Sequence, residues 1–245
     1  MLRQSSYVAI AAAGGLGFVF AGPAKSEFFS GPYIGVEGDV TSAVTFEQDW
    51  NLDEDGDEGV IEGDFAIEDP LSGGSVFAGW GDQEGGFFYG LEARYTLGDR
   101  DGKHLAGGEG DIGEGELGEG YSVSARLGSL LYDGTVMLYG SLGYAEREFT
   151  VVAHEDLEWS DDFSGYRAAV GMEYRPTGVP VSVRAEGSRS DLGGESVDQW
   201  EANGSEFDPG SKYDPSGEDE FFAPEAETDD LVENAFHVGV AYTFE

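Results

Sequence analysis

The 245-residue sequence predicts an all-β fold, an eight-stranded antiparallel up-and-down transmembrane β-barrel preceded by a cleaved signal peptide. Three observations predict it. Short segments alternate apolar and polar side chains, the connections between them are alternately short and long, and the N-terminus carries an apolar leader-like stretch.

The leader comes first. Arg3 precedes an apolar run from Tyr7 to Phe20, which ends in the small residues of AGPAKS. The run is shorter than the roughly 20 residues of a spanning helix and meets Pro23 and Lys25 directly, so it reads as a signal peptide and not as an anchor. Cleavage is expected after Ala24, with Ala21 as the alternative, which divides the chain into a leader, 1–24, and a barrel, 25–245.

Eight strand segments follow. GPYIGVEGDV places Ile34, Val36 and Val40 on one face, and GGSVFAGWGD does the same with Val76, Ala78 and Trp80. In GGFFYGLEARYTLG the apolar face is Phe87, Tyr89, Leu91, Ala93, Tyr95 and Leu97, with Glu92 and Arg94 opposite. GYSVSARLGSLL sets Tyr121, Val123, Ala125 and Leu127 against Arg126, and TVMLYGSLGYAER carries Val136, Leu138, Leu142 and Tyr144. FSGYRAAVGMEYR aligns Tyr166, Ala168, Val170, Met172 and Tyr174 opposite Arg167 and Glu173. VPVSVRAEGS and NAFHVGVAYTFE close the set with Val179, Val181, Val183, Ala185 and then Phe236, Val238, Val240, Tyr242, Phe244.

Asp82–Gly86, Asp133–Gly134 and Pro176–Pro180 supply compact turns. The long connections are read as acidic external loops at about 45–71, 99–118, 148–161 and 191–232. Threading the strands up and down gathers Trp80, Phe87, Tyr89, Tyr174, Tyr242 and Phe244 at one level and Tyr95, Tyr121, Tyr144, Tyr166 and Phe236 at the other. Two aromatic girdles about an aliphatic band are what a bilayer interface selects. A soluble sandwich would bury both.

The segments GPYIGVEGDV, FFYGLEARY, YGSLGYA and FHVGVAYTF resemble the eight-stranded outer-membrane barrels, the group of OmpA-type membrane domains, opacity proteins and porin-family surface proteins. The likeness covers nearly all of the chain after the leader and is to the barrel alone. It implies the outer membrane of a Gram-negative bacterium, contact with its lipid, and assembly by the β-barrel machinery through a terminal aromatic; Phe244 fills that place, followed by Glu245.

Composition narrows the function. Fifty acidic residues against 12 basic ones give a net charge of -38, which excludes a phosphate-tracking surface and therefore nucleic acid as a partner. Cysteine is absent, so thiolate metal sites and thiol nucleophiles are excluded. The few arginines are informative: Arg94, Arg126, Arg167 and Arg184 all fall on the inward phase, with Arg147 near a rim, as do Glu37, Glu92, Glu173 and Glu186. Buried charges need partners, so these eight are expected to form a network that fills the lumen. The alternative is a narrow polar path, which would make the protein a small diffusion pore.

No cofactor is expected apart from calcium. In NLDEDGDEGVIE, Asn51, Asp53, Asp55, Asp57 and Glu62, with Gly56, approach the spacing of a calcium loop; the other reading is a solvated acidic loop. Charge of this density points to a saline or divalent-rich surface. The aromatics Trp200, Phe207, Tyr213, Phe221 and Phe222 of the fourth loop would give it either an adhesive face for an extracellular ligand or a packed rim. His104, His154 and His237 stand at no recognisable spacing from a serine, so the chain is not expected to be an enzyme, lipid A modification being the alternative considered.

Overall fold

The structure is a computed structural model and describes residues 28–54, 57–67, 70–98, 103–107, 110–153, 158–196, 200–202, 205–207, 212–213, 221–222 and 225–244. The leader and its cleavage site lie outside them. The strands are β1 (Gly31–Glu54), β2 (Asp57–Ile67), β3 (Leu71–Glu84), β4 (Phe87–Leu97), β5 (Lys103–Gly107), β6 (Gly110–Leu131) and β7 (Val136–Ala153). They continue with β8 (Glu158–Tyr174), β9 (Val181–Ser196), β10 (Trp200–Ala202), β11 (Ser205–Phe207), β12 (Lys212–Tyr213), β13 (Phe221–Phe222) and β14 (Glu225–Thr243).

Eight of these close a ring. β1 pairs antiparallel with β3 on one side and β14 on the other, with Val36 opposite both Val76 and Val240. The circuit runs β1-β3-β4-β6-β7-β8-β9-β14 and returns to β1, so every strand has two neighbours and the sheet has no free edge at this level. All eight segments read from the alternation are these eight strands.

Period-two alternation sets the two faces. Ile34, Val36, Trp80, Leu91, Leu142, Tyr166, Met172, Val183 and Phe236 are exposed on the outer wall, while Arg94, Arg126, Arg184, Phe77 and Phe88 are buried inside. Both girdles form. Tyr95 lies opposite Tyr121, and Tyr144 opposite Tyr166, at the end that carries the long connections. Glycine makes the interior possible: a Cβ on Gly35 would sit 2.0 Å from the ring of Phe77, and one on Gly81 2.3 Å from Phe88.

At the short-turn end, Gly85 turns at φ 63° and Gly178 at φ 75°. The turn expected at Asp133–Gly134 also recruits Tyr132, which adopts φ 50° beside Asp133 at 58°. At the other end the four long connections carry strand of their own. The segment 45–71 is mostly strand, β1 running to Glu54 and returning as β2. Segment 99–118 contains β5 and the start of β6; β7 extends to Ala153 and β8 begins at Glu158; β9 reaches Ser196 and β14 begins at Glu225.

The physical cause is pairing. A strand leaving the ring keeps its backbone hydrogen bonds when its neighbour leaves with it. Above Thr41, β1 exchanges β3 for β2, which pairs through Phe65–Ile67 with β5, and β5 pairs with β6. β2 and β5 thus take the seats that β3 and β4 hold below.

Bulges accompany the change. Register shifts at Thr41/Ala43 on β1 and Leu117/Gly120 on β6 reverse the side-chain phase, so that Val44 and Leu117 point inward. An apolar layer results at this end. Val44 is paired with Ile67, Leu117 with Phe149 and Leu192 with Leu231, all buried, and Phe149 meets Phe163 edge-on at 6.1 Å. A second apolar cluster, Phe29, Phe88, Leu130, Met137 and Tyr139, fills the short-turn end.

Candidate functional site: the charged lumen

Between the two apolar layers lies a layer of charge. β4 supplies Glu92 and Arg94, two residues apart and therefore on one face; β9 supplies Arg184 and Glu186 in the same way. β1, β6 and β8 contribute Glu37, Arg126, Arg167 and Glu173. All eight are buried.

Each carboxylate has at least one guanidinium. Glu37 Oε1 is 2.8 Å from Arg94 Nε, and its Oε2 accepts from Arg184 Nη2 at 2.6 Å. Glu92 is more heavily shared. Its Oε2 accepts from Arg184 Nη1 at 2.7 Å, Arg126 Nη1 at 3.1 Å and the Tyr33 hydroxyl at 3.1 Å, and its Oε1 from Arg94 Nη2 at 3.3 Å. Glu186 Oε1 accepts from Arg167 Nη2 at 2.6 Å and Arg94 Nη2 at 2.8 Å, while its Oε2 accepts from Tyr139 at 2.9 Å. Glu173 holds Arg126 Nη2 at 2.9 Å and the Ser182 hydroxyl.

Aromatic faces complete the layer. The Arg126 guanidinium stands 4.0 Å from the Tyr139 ring centroid, and that of Arg184 stands 3.3 Å from the Phe77 centroid. A desolvated cation over a ring face is held by the ring quadrupole, so Arg126 and Arg184 are fixed by rings as well as by carboxylates. Four cations meet four anions within reach of one another, which offsets the several kcal/mol per ion that desolvation costs.

The alternation locates all eight network residues, and also Tyr33 and Tyr139, whose inward phase is equally legible but whose hydroxyls are not an obvious charge signal. What it misses is a relation between strands. His237 on β14 approaches Glu37 Oε1 with Nδ1 at 3.5 Å, while its Nε2 lies 2.9 Å from Ser188 Oγ and 3.4 Å from Arg167 Nη2. A guanidinium only donates, so Nε2 carries a lone pair there, the ring proton sits on Nδ1 toward Glu37, and the Ser188 hydroxyl donates to Nε2. Ser188 is on the inward phase of β9, yet nothing in spacing alone links it to His237.

The calcium pattern falls elsewhere. Its backbone is a hairpin: Asn51 is opposite Val60, Asp53 opposite Glu58, Asp57 opposite Glu54 and Glu62 opposite Asp49. Antiparallel pairing sets the backbone of these positions along a two-stranded ladder. The side chains of Asn51, Asp53, Asp57 and Glu62, and all of Asp55 and Gly56, lie outside the described residues, as do His154 and the side chains of His104 and the fourth connection's aromatics. Among the described residues no group of His, Asp and Glu has the arrangement of a metal site.

Several solved structures align with the chain. The attachment invasion locus protein Ail of Yersinia pestis aligns at 14% identity over 88% of this chain and 99% of its own, with a TM-score of 0.46. Neisserial surface protein A aligns at 11% identity over 88% and 98%, TM-score 0.42, and the outer membrane protease OmpT of Escherichia coli at 14% over 89% and 98%, TM-score 0.42. No curated protein sequence matches the chain. Residues 11–244 match the outer membrane protein beta-barrel domain family, and the chain, a closed barrel with a greasy outer wall and a charged interior, belongs to that family of the Gram-negative outer membrane.

Proposed function

We propose that this protein is a structural and surface-interaction barrel whose lumen does not conduct and whose working face is the long-hairpin, extracellular end. One observation carries the reading: the Arg–Glu layer is sealed on both sides by apolar layers, Phe29, Phe88, Leu130 and Met137 below and Leu117, Phe149, Leu192 and Leu231 above. An ion crossing this interior would meet two dry constrictions and a network with no surplus of either charge. Planar-bilayer recordings on the refolded protein test it. The expected trace is flat, and regular ohmic steps that survive removal of contaminating porins would establish the pore instead.

Charge specifies the class of surface partner. With a net charge of -38, the extracellular hairpins favour cationic protein surfaces or anions bridged by divalent cations. A heparin analogue is bound to the Yersinia protein, but that polyanion would be repelled here. Retention on a basic peptide matrix at low salt, lost near 1 M where the screening length is about 3 Å, is the expected result. Calcium held by the hairpin around Asn51, Asp53, Asp55, Asp57 and Glu62 belongs to the same proposal, and titration calorimetry of the folded protein checks it.

A hydrolytic second reading is favoured by Ser188, His237 and Glu37, which lie in the order nucleophile, base and acid. Against it, Glu37 is already shared by two guanidiniums, and both His237 and Glu37 are buried below the apolar layer. Mass spectrometry of lipid incubated with the native protein and with Ser188→Ala separates the readings; identical lipid in both is expected.

A further inference from the structure

We infer that the outer wall holds one ordered acyl chain of an ammonium-headed phospholipid, in an oblique furrow centred on β1. The furrow has a volume of about 690 Å³ and opens on the lipid-facing side.

Two consecutive cross-strand rows form its sides. Tyr242, Ile34, Ala78 and Ala93 are partners in turn along β14, β1, β3 and β4. Two residues away on each strand, Val240, Val36, Val76 and Tyr95 are partners in the same way, and all eight side chains are exposed on the outer wall. The depth comes from two alanines. Ala78 is directly opposite Ala93, so two methyl groups stand where the flanking outward positions carry Val76, Trp80, Leu91 and Tyr95. Phe77, Arg94 and Ala241, whose side chains are buried inside, also line the furrow, so strand backbone forms part of its floor.

The dimensions are those of a single acyl chain. At the ~30 Å³ that a water-sized group occupies in a liquid, the furrow takes about 20 methylenes. From Val181 on β9 to Tyr95 on β4 it crosses five strands, which at the usual strand spacing is about 19 Å. With strands tilted by about 40° it climbs about 12 Å, close to one leaflet's share of a hydrocarbon core about 30 Å thick. Transfer from water cannot favour this position, because the surrounding lipid is equally apolar; van der Waals contact with a concave wall can, since chains that pass a convex cylinder touch it on one side only.

Charge at the rims selects the headgroup. Above the furrow the Tyr95 hydroxyl donates to Glu119, and below it the Tyr89 hydroxyl donates to Asp82 at 3.1 Å. A carboxylate at either rim repels an anionic headgroup and attracts an ammonium, whichever leaflet the lipid comes from.

The test uses the whole barrel refolded in nonionic detergent, with phosphatidylethanolamine or phosphatidylglycerol of identical acyl chains added at equal concentration, and native mass spectrometry to count the lipids retained. One retained phosphatidylethanolamine per barrel is expected, with phosphatidylglycerol retained at least fivefold less. Ala78→Leu fills the furrow from a lipid-facing position and is expected to lower retention at least fivefold. Ala168→Leu, an outward alanine on β8 across the ring, is expected to leave it unchanged.

A graded series of adducts with no preferred count, equal retention of the two lipids, or equal retention in Ala78→Leu would overturn the inference and leave the furrow to bulk lipid. A dimer that Ala78→Leu converts to monomer would overturn it in favour of a second copy of the barrel. The heat-dependent gel shift verifies that each variant is folded. Crystals of the unaltered protein grown with a phosphatidylethanolamine brominated in its acyl chain give a reading free of any variant: an anomalous peak beside Ala78 and Ala93 is expected, and its absence refutes the site.

Discussion

Replacing Arg126 by Met removes the most connected cation of the lumen while keeping most of its stem volume. Arg126 donates to Glu173 at 2.9 Å, to Tyr33 at 3.0 Å and to Glu92 at 3.1 Å, and covers the ring of Tyr139. The loss is not shared evenly. Glu92 keeps Arg184 at 2.7 Å and Arg94 at 3.3 Å, whereas Glu173, among the described residues, keeps the Ser182 hydroxyl and no cation. A buried carboxylate stripped of its cation costs about 3–5 kcal/mol, so Arg126→Met is expected to lower unfolding stability by that amount. Adding Glu173→Gln removes the stranded charge, and the double variant is expected to recover about 2 kcal/mol relative to Arg126→Met. Urea unfolding in vesicles, followed by intrinsic fluorescence and by the heat-dependent gel shift of folded barrels, measures both. Additivity of the two changes to within about 0.5 kcal/mol, or a loss below about 1 kcal/mol for Arg126→Met alone, would refute the network argument.

Further outcomes follow from packing. Gly81→Ala is expected to cost about 1–3 kcal/mol by driving a methyl into Phe88, and Phe88→Leu in the same chain restores most of it. Gly35→Ala is not rescued by the equivalent Phe77→Leu, since the added methyl also meets the backbone oxygen of Val240 at 2.4 Å; thermal melts compare the pairs. Leu231→Ala, in the apolar layer, is expected to lower stability by about 2–5 kcal/mol without producing conductance, because the Phe29 cluster still closes the other end.

Much of the barrel is legible because lipid and lumen select opposite chemistries at alternate positions. In FFYGLEARYTL the outward Tyr89, Leu91, Ala93 and Tyr95 alternate with Gly90, Glu92, Arg94 and Thr96, so Glu92 and Arg94 are placed inward by the sequence alone. The hairpin extensions are not legible in this way. GGEGDIGEGELGEG has weak strand propensity of its own, yet Gly113–Leu117 pair with Phe149–Ala153, because the neighbour supplies the hydrogen bonds that composition does not advertise. Nor do bulges announce themselves: Val44 and Leu117 lie on the wrong phase for the interior until one register shift in each strand reverses it. The Ser188–His237 contact depends on which strands are neighbours, and that follows from closure of the ring.

β1 is 24 residues long, while nine to eleven tilted residues suffice to cross the hydrocarbon of a bilayer. The surplus on β1, β6 and β14 is sheet bonded to sheet, so the outward extensions continue the backbone pairing of the wall. Anything approaching from outside meets these paired extensions before the headgroups, which lie tens of ångströms farther in by strand rise. Affinity reagents raised against linear peptides from these segments would then recognise the denatured chain better than the living surface, and a short epitope tag spliced between Glu54 and Asp57 would be displayed clear of the lipid without disturbing the wall beneath it.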